Sequence, residues 1–434
     1  SLLQLPIKIY CPDPSARHRY IFDLLFKELL GTDYVFIDEI NTCHINYSKD
    51  SGGLCHILPQ GLLSEKDIKS DIQVVFENID NQWFMFRTND ASKTPFDVFA
   101  ASFYLVSRYE EYLPYEADDH NRFSACFSCL TQNDLLEEPL INKWALYIKN
   151  ILSSSTDLRF IPRKFEFLST IDVDQAWKFK NKGLFRNVLG TFRDLKEGKW
   201  ENFRDRWPVL FGLRKDPFHE AFSWHKLQET KYDIKLNYFM LLGDYGTFDK
   251  NTSHKNSEFV KLIQSLDSAD SIGIHPSYNS NTEKPKVAQE INRLESILCR
   301  PIVMSRQHFL MHRMPETYQT LIKNGITEDH TMGYSTHLGF RAGIAAPFYW
   351  FDLENNIQTK LKLVPFCAMD ITPLHYRKES PDKAIKTLRN LMEKVNDVGG
   401  LFVSLWHNES FSETERWRGW RVVYESLLAK ASKS

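Results

Sequence analysis

No apolar run in this chain approaches the roughly 20 residues that a membrane-spanning helix needs, so no membrane span is expected. Net charge is almost absent as well: the balance is -2 over 434 residues. That leaves no electrostatic footprint for nucleic acid or for a membrane surface. Cysteine is sparse, 7 in all, and Cys126 and Cys129 form the only close pair. A structural zinc site would want a second such pair. The cysteines therefore read as reduced thiols of a cytoplasmic-type protein. The opening Ser-Leu-Leu-Gln-Leu-Pro shows no charged-then-apolar leader.

Aromatic residues, by contrast, are plentiful at 14%. Such a supply of rings either builds a large aromatic core or lines an open groove suited to sugars. A chain this long outgrows one small core, so two domains are expected. Residues 1–160 read as a smaller α/β domain, with strand-like Ile7–Tyr10 and Ile72–Phe76 and an apolar-faced helix from Phe96 to Tyr112. Its Arg108-Tyr-Glu-Glu-Tyr112 cluster reads as a solvated helix end. The polar run Ser153–Asp157 marks the boundary.

From residue 161 to 434, strand-like and helix-like segments alternate about seven times. That rhythm predicts an α/β architecture, a distorted (β/α) barrel of about seven strands. One piece breaks it: a stretch of mixed charge and aromatics around 178–232 reads as a helical insertion over the barrel mouth.

The segment Phe165–Asp174 reads as a buried strand ending in two carboxylates, Asp172 and Asp174, on one face. Two like charges that close need a cation or a shared proton between them. Other strand ends carry His275, Arg306, His308, Asp370 and His407, and barrel enzymes work at such ends. Each residue taken alone would serve equally as a turn or cap.

In order and type, Thr170-Ile-Asp-Val-Asp174, His275-Pro-Ser-Tyr-Asn279, Arg306 and Leu405-Trp-His407 resemble the motifs of polysaccharide deacetylases, carbohydrate esterase family four. The resemblance covers roughly the last three-fifths of the chain. Strings such as Gly339-Phe-Arg-Ala-Gly343 and Trp406-His-Asn408 narrow it to a Bacteroidetes-type branch with an extra N-terminal domain. It implies a metal-dependent hydrolase removing N- or O-linked acetyl groups from an acetylated glycan, with one divalent ion, zinc as first choice. By position, Asp172 would be the general base, Arg306 its ion-pair partner and His407 the general acid. Asp174 and His275 would bind the metal. The family usually has a second histidine where this chain has Asn279, a weaker zinc ligand. His308, two residues after Arg306, offers a replacement third ligand or is a core or substrate-contacting histidine. Asp329, Arg341, Asp370 and Trp406 would contact substrate, or equally serve as loop salt bridges and core. Two alternatives stay open: a degenerate glycan-binding barrel, favoured by Asn279, and a metal hydrolase of a non-sugar amide.

Overall fold

The structure, a computed structural model, describes residues 4–88, 94–267 and 271–434. A small parallel sheet forms first, from β1 (Ile7–Tyr10), β2 (Tyr34–Phe36), β3 (Ile45–Asn46) and β4 (Cys55–His56), in the order β2-β1-β3-β4. Ile7 and Ile9 alternate into the core, as the period of a half-buried strand requires. A hairpin follows, β5 (Phe76–Ile79) and β6 (Gln82–Met85). The strand expected at Ile72–Phe76 thus starts only at its last residue. The helix expected from Phe96 to Tyr112 runs from Val98 to Val106 and then breaks at Arg108, whose φ is +55°.

The large sheet holds nine strands where about seven were expected. They are β7 (Glu166–Val173), β8 (Lys235–Met240), β9 (Ser271–Ile274), β10 (Met304–Ser305), β11 (Glu328–Asp329), β12 (Phe348–Asp352), β13 (Ile357–Leu363), β14 (Ala368–Met369) and β15 (Leu401–His407). Their order is β12-β13-β11-β10-β9-β8-β7-β15-β14. Only β12 runs antiparallel to its neighbour. The surplus over seven has two sources. A single path from Ile357 to Met369 pairs first with β11 as β13 and then with β15 as β14. Between them Phe366 donates its N–H to Met332 O (3.1 Å) and Cys367 to Val403 O (3.1 Å), so the sheet curls toward itself. The other source is β12, a short return strand with no clear periodic signal.

β7 and β15 lie side by side near the β14 end of the sheet and are buried along most of their length, as parallel strands flanked by helices are. Their register sets Asp172 beside His407 and Thr170 beside Leu405. Around the sheet, helices bury the expected stripes. Phe259, Leu262 and Ile263 do so in Ser257–Leu266, and Leu388, Met392 and Val395 in Pro381–Asp397, each helix capped by the side chain of the preceding residue. The helix Glu316–Lys323 stops before Gly325, whose φ of +83° suits glycine. Among the described residues no helix is long and apolar enough to cross a membrane.

The smaller sheet's unit meets the large sheet along a seam that is partly aromatic, with Phe351 against Tyr20 and Phe103, and partly polar. Arg17 Nε donates to Asn356 Oδ1 (2.8 Å), and Ala345 N–H to Asn142 Oδ1 (2.9 Å). At its centre lies a correction to the sequence reading: Arg108 and Glu111 are buried, not solvated. Glu111 accepts from both Arg108 and Arg341, and Arg108 Nη2 also reaches Glu110 Oε1 and Tyr334 OH, each at 3.2 Å. Burial would raise the Glu111 carboxyl, but Arg341 and Arg108 hold it down at about 2.

Candidate metal and acid–base site

Strand β7 delivers the two aspartates to the carboxyl end of the sheet. Asp172 is buried and receives Arg306 Nη1 on Oδ1 (2.8 Å). The same guanidinium donates Nη2 to Thr170 Oγ1 (2.7 Å) and Nε to His330 O (3.0 Å), with the Phe239 ring 4.6 Å from its centre. Three bonds and a ring face fix this arginine, and through it the carboxylate.

Asp174, beyond the strand's end, is different. Its Oδ1 lies 3.2 Å from His275 Nε2, and its Oδ2 lies 3.5 Å from His308 Nε2 and 3.6 Å from His407 Nε2. His275 Nδ1 sits 2.6 Å from the Arg306 carbonyl, which can only accept, so Nδ1 carries the proton. With one proton on the ring, Nε2 presents a lone pair to a carboxylate oxygen. Both Asp174 Oδ1 and His275 Nε2 are buried without a hydrogen-bond partner. Buried polar atoms are seldom left so, and two facing acceptors repel unless a cation or a proton lies between them.

His308 completes the set. Its Nδ1 is 2.8 Å from Asp249 Oδ1, a fully buried carboxylate that also accepts the backbone N–H groups of Tyr278 (2.9 Å) and Asn279 (3.3 Å). A carboxylate behind one ring nitrogen leaves the other free as a ligand. Asp174, His275 and His308 offer three donor atoms within 4.8 Å of one another, the one such group among the described residues. Two imidazoles and a carboxylate fit a borderline divalent cation. Protons compete for the same atoms. Burial lowers the His308 pKa, but Asp174 and Asp249 raise it to about 9. Burial likewise raises Asp174, yet His308 and His407 hold it well below the usual carboxylate range.

On the other side stands His407. Its Nδ1 is 3.0 Å from Asp370 Oδ2, and its own N–H reaches the same oxygen at 2.8 Å, which Ser410 Oγ also approaches. Burial lowers this imidazole's pKa, but Asp370 and Asp174 more than offset it and raise it well above its ordinary value.

These groups open into a cavity of about 310 Å³, lined by Asp172, Asp174, His275, His308, Asp370 and His407. Its rim adds Tyr376, Glu409, Arg416 and Trp417, together with His120 and Arg122 from the first 160 residues. A larger cleft of about 910 Å³ beside helix Pro217–Tyr232 brings no comparable trio of donors together.

The structure thus brings together Asp172, Asp174, His275, Arg306, His308, Asp370 and His407. Asp370 stands behind His407 and also lines the cavity. Asn279 does not line the cavity; its backbone supports Asp249, and its Nδ2 lies over Gly246. Asp329 is buried, bonded to Ser305 Oγ (2.8 Å) and Thr331. Arg341 is spent on Glu111 at the seam, and Trp406 packs against Phe411 and Tyr424. None of these three reaches the cavity. Sequence reasoning passed over Asp249, Glu409, His120 and Arg122. Asp249 follows Gly246-Thr-Phe in a loop, a place where an aspartate ordinarily signals only a turn.

Residues 7–157 match a family of unknown function (DUF7033). No curated protein matches the sequence. Among solved structures, the chain is similar to a protein from Mycobacterium smegmatis provisionally named a polysaccharide deacetylase, with 14% identity over 62% of this chain and 84% of that one, TM-score 0.39. A provisionally named polysaccharide deacetylase involved in O-antigen biosynthesis from Bordetella bronchiseptica gives 13% identity over 61% and 89%, TM-score 0.34. A polysaccharide deacetylase from Bacillus cereus gives 11% over 61% and 86%, TM-score 0.30. Likenesses at this level decide nothing about chemistry, which rests on the residues themselves.

Proposed function

We propose that this chain is a metal-dependent hydrolase that removes N- or O-linked acetyl groups from a glycan or glycan precursor, with a separate α/β unit over residues 1–160. The observation that carries the reading is the pair of buried, unpartnered acceptors, Asp174 Oδ1 and His275 Nε2, facing each other at 3.2 Å with His308 beside them. Asp174, His275 and His308 would hold the ion, zinc as first choice. A cation there would supply Lewis acidity, polarising the acyl carbonyl and easing deprotonation of water.

The rest is work for side chains. Asp172, anchored by Arg306, accepts the proton of the attacking water. His407 delivers a proton to the departing nitrogen or oxygen. Asp370 fixes its ring through Nδ1 and offsets the positive charge of the imidazolium. Asp172 and His407 are register partners on adjacent strands, so acid and base flank one spot.

The feature that favoured a non-catalytic glycan binder was Asn279. With His308 within reach of Asp174, the weak donor at 279 no longer argues for that reading. The test is elemental analysis of the purified chain together with acetate release from acetylated saccharides. About one divalent ion per chain and free acetate are expected. A chain that takes up no ion after exposure to zinc, manganese and nickel salts would sink the proposal. Release of acetate only from non-sugar amides would redirect it.

A further inference from the structure

Surface helices normally turn their apolar stripe inward. Two helices of the insertion do the reverse. In Leu184–Lys196 the buried residues are Asn187, Gly190 and Asp194, three and four apart on one stripe. The opposite stripe carries Leu184, Phe185, Leu189 and Phe192, with Phe185 75% and Phe192 67% exposed. The next helix, Trp200–Leu210, buries Asn202, Arg206 and Val209. It turns Trp200 out at 66%, and Phe211 just past its end is 74% exposed.

The seam between these helices is polar. Arg206 donates Nη1 to Asn187 Oδ1 (2.8 Å) and Nη2 to Asp194 Oδ2 (2.6 Å). A Cβ on residue 190 would come 2.7 Å from Arg206 Nη2, so glycine makes room for the guanidinium. Rolling the apolar faces inward would break this ion pair. The outward aromatic face is therefore built into the hairpin.

Its charge identifies what the face fits. Six basic and four acidic residues lie in the hairpin itself, 184–211, an excess of two in a chain whose balance is -2, and Lys180, Arg214 and Lys215 stand just outside it. The chain-wide balance averages this local excess away. Lys199, Arg204 and Arg214 meet Glu197 and Asp205, while Arg193 and Lys196 form no ion pair among the described residues. Exposed rings flanked by basic side chains suit an anionic bilayer, where rings enter the headgroup layer and cations meet phosphates. A second copy would set this positive face against itself.

We propose that the hairpin 184–211 docks the protein on an anionic lipid surface. It also abuts the cavity rim. Asn202 Nδ2 donates to Glu415 Oε1 (3.0 Å), and Arg418 pairs with Glu201 (2.5 Å). Arg416 and Trp417, between those anchors, line the cavity. Docking sets the cavity beside the lipid and, if the function proposed above holds, aims it at glycans carried there.

Co-sedimentation of the full chain with vesicles tests this. Binding is expected to vesicles of equal parts phosphatidylglycerol and phosphatidylcholine, release at high salt, and little binding to phosphatidylcholine alone. A Phe185→Ser, Phe192→Ser double variant alters only exposed side chains. It is expected to keep its circular dichroism and melting temperature and to lose about tenfold or more in vesicle affinity. No binding of the wild type to either vesicle overturns the proposal, as does unchanged binding of the variant. So does a wild-type dimer that the variant makes monomeric, since a second copy would then cover the face. These readouts need no enzymatic activity. Vesicle binding without acetate release would count against the hydrolase reading alone.

Discussion

Two buried charged clusters in this molecule look alike on paper and behave as opposites. At the seam, Glu110 and Glu111 face Arg108 and Arg341, and Glu111 bridges the two guanidiniums. At the strand ends, Asp174 faces three imidazoles, and one close pair of atoms has no hydrogen bond at all. The first cluster balances its own charge, two carboxylates against two guanidiniums, although Arg108 Nη1 stays without a partner. The second is left incomplete by its own residues, which is how a site differs from a brace.

The largest expected effect sharpens the role of the second cluster. Asp172→Asn keeps the shape and removes the proton acceptor, so acetate release should fall by about 10²–10⁴-fold while ion content stays at wild-type level. Loss of the ion as well would make Asp172 a ligand. Next, Glu111→Ala would leave Arg108 and Arg341 buried without their shared carboxylate. It should destabilise the fold by about 3–5 kcal/mol in urea unfolding, with ion binding by the folded protein intact.

The same glutamate predicts a pH effect. Its folded pKa, about 2, lies below its ordinary 4.5, so its contribution is present above about pH 4.5 and is lost as pH falls toward 2. That contribution is about 3 kcal/mol, and Glu111→Gln should flatten this part of the stability profile. A variant as acid-sensitive as the wild type would show that other carboxylates dominate. The smallest effect belongs to the loop: Asp249→Asn should weaken ion affinity by about 10–100-fold without abolishing it. An unchanged affinity would deny Asp249 its place behind His308.

Part of the site is legible in the order of residues alone. Asp172 and Asp174 alternate on a strand, and His275, His308 and His407 follow strands, so period and position point to one end of a sheet. Asp249 cannot be found that way, because its loop has no period and its partner His308 is 59 residues away. Arg108 and Glu111 mislead for the same reason. A charged run after a helix looks solvated until Arg341, 230 residues from Glu111, closes over it. The insertion misleads in reverse, since an amphipathic stripe does not say which way it faces.

Spacing along the chain is enough to set many of the strands and helices of the large sheet and which side chains sit at the strand ends, because spacing is a local property. It takes the closed chain to put Asp370 behind His407, to bring His308 and not Asn279 to Asp174, and to turn the rings of the hairpin outward. Those outcomes depend on which distant groups satisfy one another's hydrogen bonds and charge, and such pairing exists only once the chain has folded back on itself.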